Sequence, residues 1–221
     1  MIVERYADCG RLYERTRLDL LHLLAGLSEV QLAAPVPATP AWSVHDVLAH
    51  VVGITVDLRL GRYGPGDQEA WTAQQVSERR HRSVAELAAE WDAEAPTFEE
   101  GLALFGYEMG SHFLGDLLHH VADVRHALGL PRLPHDLALD VALDFYLDSF
   151  HGSLVEAGIG SVVVMTRGER YELGEGPVVA TLTVEPYELF RALGGRRTET
   201  QIHAFEWQGD VDRAAGLLPC Y

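Results

Sequence analysis

The chain has 221 residues, 48% of them hydrophobic and 23% charged, with a formal net charge of −16 when histidine is neutral; this excludes a disordered chain and allows a substantial core. Every cation is an arginine, which rules out lysine chemistry such as a Schiff base or a P-loop, and an acidic chain without a basic stripe is poorly suited to nucleic acid. The two cysteines, Cys9 and Cys220, lack CxxC spacing and argue against both a disulfide-stapled secreted fold and a thiolate zinc site.

No run of about 18 apolar residues is present to span a bilayer, and "MIVERYADCGRLYERTR" has no apolar stretch of the kind a secretory leader needs. A cytoplasmic protein is expected. Along the chain, Tyr6, Leu12, Leu18, Leu21, Leu24 and Leu27 recur at helical spacing and predict a first helix over about 3–27. The three prolines of "PVPATPAW" break it. Ser43 is a good N-cap for a second helix, with Asp46 as its capping-box partner, running to about Leu60 and stopping at "GRYGPGD". A third helix is expected from Ser83 to about Glu94. A fourth, from about Phe105 to Leu128, ends at Gly129 with Pro131 beyond. A fifth covers about Leu137–Phe150. "ERRHRS" reads as an exposed basic turn and "TFEEGLALFGYE" as a solvated helix start.

After "HGSLVEAGIG" the texture changes. "SVVVMTR", "ERYEL", "VVATLTV" and "QIHAFEW" are short, β-branched or alternating, and predict strands. Between the last two, "EPYELFRALGG" is a short helix with proline at its start and glycine at its end. The expected fold class is α+β: a helical domain over 1–152, then a small α+β domain over 153–221.

Two helices carry histidines beside their apolar stripes. On the second, Val47, Val51, Ile54 and Leu58 form the stripe and His50 lies on its border. On the fourth, "GSHFLGDLLHHVADVRHALG", Asp116, His120 and Asp123 line one strip beside Phe113, Leu117, Val124 and Leu128. If the helices pack together, His50 faces Asp116 and His120. Two imidazoles and a carboxylate suit a first-row divalent ion and leave a position open for water or a thiol. A bound thiol would be deprotonated by the ion's charge. Asp123 is placed to fix the His120 tautomer or to pair with an arginine. Spacing leaves the ligand set open, because His112 lies four residues before Asp116, His119 adjoins His120, and the chain has 11 histidines.

"LSEVQLAAPVPATPAWSVHDVLAHVVG" resembles the N-terminal signature of the mycothiol-dependent maleylpyruvate isomerase family, within the DinB-like four-helix-bundle superfamily. Trp42, Ser43, Asp46 and His50 fall on it in register. "DLLHHVADVRHALGLP" resembles the second signature, with Asp116, His120 and Asp123 in its places; Asp116 is one methylene shorter than the glutamate usual there. "GPVVATLTVEPYELFRALGGRR" is similar to the family's small C-terminal domain. The resemblance implies a DinB-like bundle holding zinc (or nickel or manganese) on His50, Asp116 and His120. It further implies a low-molecular-weight thiol cofactor, mycothiol, and an isomerase or thiol transferase acting on a small molecule, with no nucleic-acid or membrane partner, as a monomer or homodimer. For an isomerase, the thiolate adds to the double bond of an unsaturated diacid, permits rotation, and leaves.

Arg196 falls on the family's Gly-Arg and is a candidate grip for a carboxylate of substrate or cofactor; its alternative is an ion pair with Glu199 or Glu188. Trp42 is a candidate for packing between helices or for stacking on a cofactor. Two further functions stand beside the first: a non-enzymatic binding or regulatory protein on the same scaffold, and a metal-dependent hydrolase with Asp123 or His119 as base.

Overall fold

The computed structural model describes residues 5, 7–62 and 66–220. The stripe residue Tyr6 and the centre of the "GRYGPGD" stop lie outside the described residues. Contacts divide the chain into two compact units, Asp8–Arg132 and Leu133–Tyr221 with the N-terminal residues around Arg5.

In the first unit, α1 (Cys9–Ala25) begins where the Asp8 carboxylate accepts the Arg11 amide. After the short α2 (Glu29–Leu32), the proline-rich break contains a small antiparallel hairpin, β1 (Pro35–Val36) and β2 (Thr39–Ser43). A two-stranded ribbon tolerates prolines because its edges need no ladder partner. The expected capping box starts α3 (Val44–Arg59): Ser43 Oγ accepts the Asp46 amide, and the Asp46 carboxylate accepts the Ser43 amide. α3 is buried nearly all round because α4, α5 and α6 all pack on it.

α4 (Gln68–Arg79) has no counterpart among the predicted elements. Its sequence, "QEAWTAQQVSER", offers few apolar residues for a stripe, and it owes its place to packing. It approaches α3 closely at Gly53, where an added Cβ would sit 2.6 Å from Cβ of Gln75. The basic turn is also not wholly exposed: Arg79 is buried, with its guanidinium on Glu90 at 2.9 Å.

α5 (Val84–Leu104) starts at Ser83 as expected but runs well past Glu94, through Pro96, because Phe98 and Leu102 continue the buried stripe of Leu87, Trp91 and Ala95. The acidic run is therefore the second half of this helix, and its Glu99 receives the buried Arg17 at 2.8 Å. Gly106, at φ +88°, turns the chain into α6 (Tyr107–Ala127). Together α1, α3, α5 and α6 form the four-helix bundle.

In the second unit, α7 (Leu137–Ala157) outlasts its expected end and stops at left-handed Gly158, φ +61°. It packs on the sheet and on α8, and the proposed domain boundary at residue 152 falls inside it. The strands are β3 (Ser161–Thr166), β4 (Glu169–Gly174), β5 (Val178–Thr183) and, further on, β6 (Glu206–Gly209). Their order is β4-β3-β5-β6, with β3 and β5 parallel and the outer pairs antiparallel. Central β3 buries Val162, Val163 and Val164 in succession, as a strand covered on both faces does. The proline-to-glycine helix is α8 (Pro186–Leu193). "QIHAFEW" is only half strand: Thr198 and Gln201 form a capping box that makes α9 (Glu199–His203), leaving β6 to begin at Glu206. α10 (Val211–Ala215) follows. The architecture is the expected α+β, a helical bundle followed by a small sheet-containing unit.

Candidate functional site

The histidine helices do meet. His50 on α3 and His120 on α6 are both buried, and their rings lie 4.8 Å apart, edge to face. Trp42, at the end of β2, lies over them with ring centroids 4.7 Å from His50 and 6.5 Å from His120. The capping box that starts α3 thus also fixes where the tryptophan stands relative to the histidine eight residues on.

On α6 the three-residue strip is as the spacing predicts. Nε2 of His120 is 3.7 Å from Oδ1 of Asp116, and Nδ1 is 3.8 Å from Oδ2 of the fully buried Asp123. Two ligands on one zinc ion, at bonds of about 2.0–2.1 Å and a tetrahedral angle, stand about 3.3 Å apart. The His120–Asp116 distance is close to that. Among the described residues, however, no group of three or more His, Cys, Asp or Glu side chains is assembled so as to hold a metal ion. The donor types suit zinc, and the imidazole pair is in place; a closed three-ligand set is not.

The other predicted candidates separate. His119 is buried next to His120. His112 lies on the wall of a cavity, stacked on Phe113 with centroids 5.1 Å apart, and burial pushes its pKa below the ordinary histidine value. Arg196 belongs to the second unit, where its Nη1 donates to the Gly194 carbonyl at 2.8 Å. Its neighbour Arg197 pairs with Glu188, at 2.8 Å.

Sequence reasoning missed the residues that orient His50. Gln75, wholly buried on α4, places Oε1 2.8 Å from Nδ1 of His50 and donates from Nε2 to Asp57 at 3.2 Å. Asp57 also accepts Trp71 Nε1 at 2.9 Å and lies 3.5 Å from Arg62. A carboxylate only accepts, so the amide nitrogen of Gln75 must face Asp57 and its oxygen must face His50. Nδ1 of His50 therefore carries the proton and Nε2 the lone pair, which is the tautomer a metal ligand needs. Nothing in the polar α4 sequence marks Gln75; only its packing against Gly53 places it.

Beside this pair lies a cavity of about 750 Å³ within the bundle, bordered by His50 and Asp116 and by apolar side chains from α3, α4, α5 and α6. A broader recess of about 1160 Å³ has Trp42 in its wall. It is lined in part by Arg80 and Arg82, whose charges are already matched by Asp46 at 3.0 Å and Glu90 at 2.6 Å.

The first unit is thus a four-helix bundle with facing histidines on two of its helices and a cavity beside them. Residues 14–108 match the family model described as the mycothiol maleylpyruvate isomerase N-terminal domain. Among solved structures the chain is similar to the crystal structure of the mycothiol-dependent maleylpyruvate isomerase, at TM-score 0.53 and 13% identity over 87% of this chain and 90% of that one. A histidine-to-alanine mutant of that isomerase matches at TM-score 0.52 and 12% identity, with the same coverage. At such identities the likeness establishes the fold. No curated protein matches the sequence. No helix among the described residues is long and apolar enough to cross a membrane.

Proposed function

We propose that the chain is a thiol-dependent isomerase or thiol transferase of the maleylpyruvate isomerase type, using mycothiol or a similar small thiol. In this reading His50, Asp116 and His120 hold a divalent ion, zinc before nickel or manganese. The observation that supports it best is the pair of imidazoles from α3 and α6, 4.8 Å apart, beside a cavity, with His50 turned by Gln75 into the tautomer a ligand requires. A bound divalent ion would lower the pKa of a coordinated thiol, so that the thiolate is available at neutral pH.

The chain's own residues supply the remainder. Gln75 and Asp57 hold the proton on Nδ1 of His50, and Asp123, 3.8 Å from Nδ1 of His120, is proposed to set the tautomer of that ring. Trp42 covers one side of the ring pair and limits water there. Arg196 is proposed as the contact for a carboxylate of substrate or cofactor, and a cytoplasmic location fits a pool of reduced thiol.

Elemental analysis of the purified protein, with thermal shift on adding zinc and then mycothiol, tests this directly. Zinc close to one per chain is expected, lost in His50→Ala and in His120→Ala. A ligand at a hundredfold excess over its dissociation constant stabilises the fold by about 2.7 kcal/mol. Wild-type protein that neither carries nor takes up zinc, nickel or manganese would overturn the metal reading. Unchanged metal content in both variants would remove these residues from it.

A further inference from the structure

Arg17, Arg79, Arg80 and Arg82 each hold a guanidinium nitrogen within 3.0 Å of a carboxylate oxygen. Arg59 does not. It stands in the last turn of α3, with Oε2 of Glu94 3.4 Å from its Nε, longer than a good N–H···O bond. Its guanidinium donates no hydrogen bond among the described residues, although the planar fork carries five N–H donors. The side chain is 38% exposed and borders the 750 Å³ cavity. His50, His112, Gln68, Thr72 and Thr97 also line that space and can give a ligand hydrogen bonds. Arg59 alone, among the described lining residues, carries a positive charge that does not depend on pH.

We infer that Arg59 is a specificity-determining contact of this cavity, its guanidinium gripping one carboxylate of the substrate in bidentate fashion. The inference rests on the cavity being the substrate pocket of the proposed enzyme. To the contact proposed for Arg196 it adds a guanidinium that lines the pocket itself. Its place on the helix gives the grip a direction. His50 lies nine residues before Arg59 on α3, about 13.5 Å along the axis. The carboxylate is therefore held away from the imidazole pair, and the remainder of the substrate extends along the cavity toward His50 and Asp116, where the thiolate chemistry of the proposed reaction would take place. A last-turn arginine also stabilises its own helix through the dipole. The discriminating quantity is therefore a ratio of affinities for two ligands rather than the stability of the fold.

Hexanoate and hexanamide share a length and an apolar body and differ in charge. Each is titrated into the full chain at pH 8, where imidazoles are neutral, without thiol and both with and without added zinc, and binding is followed in backbone ¹H–¹⁵N spectra. Wild type is expected to prefer hexanoate by about tenfold or more, as a charge-assisted bidentate pair outweighs a neutral hydrogen bond. Arg59→Gln is expected to bring the ratio below about twofold, and Arg59→Lys, a point charge without the fork, to leave it in between. Glu94→Gln removes the competing carboxylate and is expected to raise the wild-type ratio about threefold. If Arg59→Gln loses both probes by disturbing the end of α3, the rise in Glu94→Gln decides. Neither probe binding to wild type, a wild-type ratio near one, or no rise in Glu94→Gln overturns the inference. So does a preference that survives Arg59→Gln, including one seen only with zinc, which would put the carboxylate on the ion. Failure here leaves the zinc measurement untouched, and a chain that shows the Arg59-dependent ratio but never takes up metal refutes the metal reading alone.

Discussion

Replacing Gln75 with leucine, close in shape but without hydrogen-bonding groups, tests how the imidazole pair is prepared. The change removes the acceptor 2.8 Å from Nδ1 of His50 and one of the donors to Asp57, 3.2 Å away. Asp57 keeps Trp71 at 2.9 Å and Arg62 at 3.5 Å, so it remains paired, whereas the buried His50 N–H loses its partner in Gln75. An orphaned buried donor costs about 1–3 kcal/mol of stability. Removing the group that orients a metal-binding histidine weakens the metal by about 10–100-fold, or about 1.4–2.8 kcal/mol. Two assays read this. Long-range ¹H–¹⁵N correlation spectra of the metal-free protein should show wild-type His50 protonated on Nδ1, and the variant shifted toward the Nε2–H form. Competition titration with zinc should show the weaker site. Asp57→Asn offers a second route, because an amide at that position no longer forces the Gln75 oxygen toward His50, and a mixture of tautomers is expected. A wild-type His50 protonated on Nε2 would refute the reasoning outright; a zinc affinity within twofold of wild type in Gln75→Leu would show that the tautomer is not what matters.

Gly53→Ala should push α4 off α3, since the new methyl would lie 2.6 Å from Cβ of Gln75; overpacking of about 1–3 kcal/mol should exceed the gain in helix propensity of up to about 1 kcal/mol, measured by urea unfolding. Ser43→Ala should cost about 1 kcal/mol by the same assay through loss of the α3 cap. Burial acts to raise the Asp46 pKa, but the Ser43 amide and hydroxyl and then Arg80 outweigh it and hold the carboxylate below its usual value. The stability it contributes is therefore intact above the unfolded value of about 3.9 and lost as pH falls below that, and Asp46→Asn should flatten this acid limb of the stability curve. Burial, with the Asp8 charge, raises the Cys9 thiol to about 11, while Cys220 is exposed. At pH 8 Cys9 should hold about one thiolate in a thousand, so Ellman's reagent should titrate one thiol quickly and the second only on unfolding; two fast thiols would show that α1 does not bury it.

The local chemistry of the chain was legible where a side chain acts on its own neighbours. Ser43 with Asp46 marked the start of α3, Gly129 the end of α6, and Pro186 with Gly194 bounded α8, because caps and breakers work within a turn of backbone. The i, i+4 and i, i+3 spacing of Asp116, His120 and Asp123 likewise put them on one strip, as helical geometry requires. What lay beyond reach was whatever depends on which surface meets which. α4 has almost no apolar stripe and is held by packing on α3, so the helix, its Gln75 and the tautomer it imposes on His50 were all invisible. α5 continued through Pro96 because Phe98 and Leu102 find a core there, a long-range gain that outweighs a local breaker. Sequence determined which groups share a helix face; only tertiary structure decided which faces confront each other, because burial and hydrogen bonding between helices have no counterpart in the order of residues along one of them.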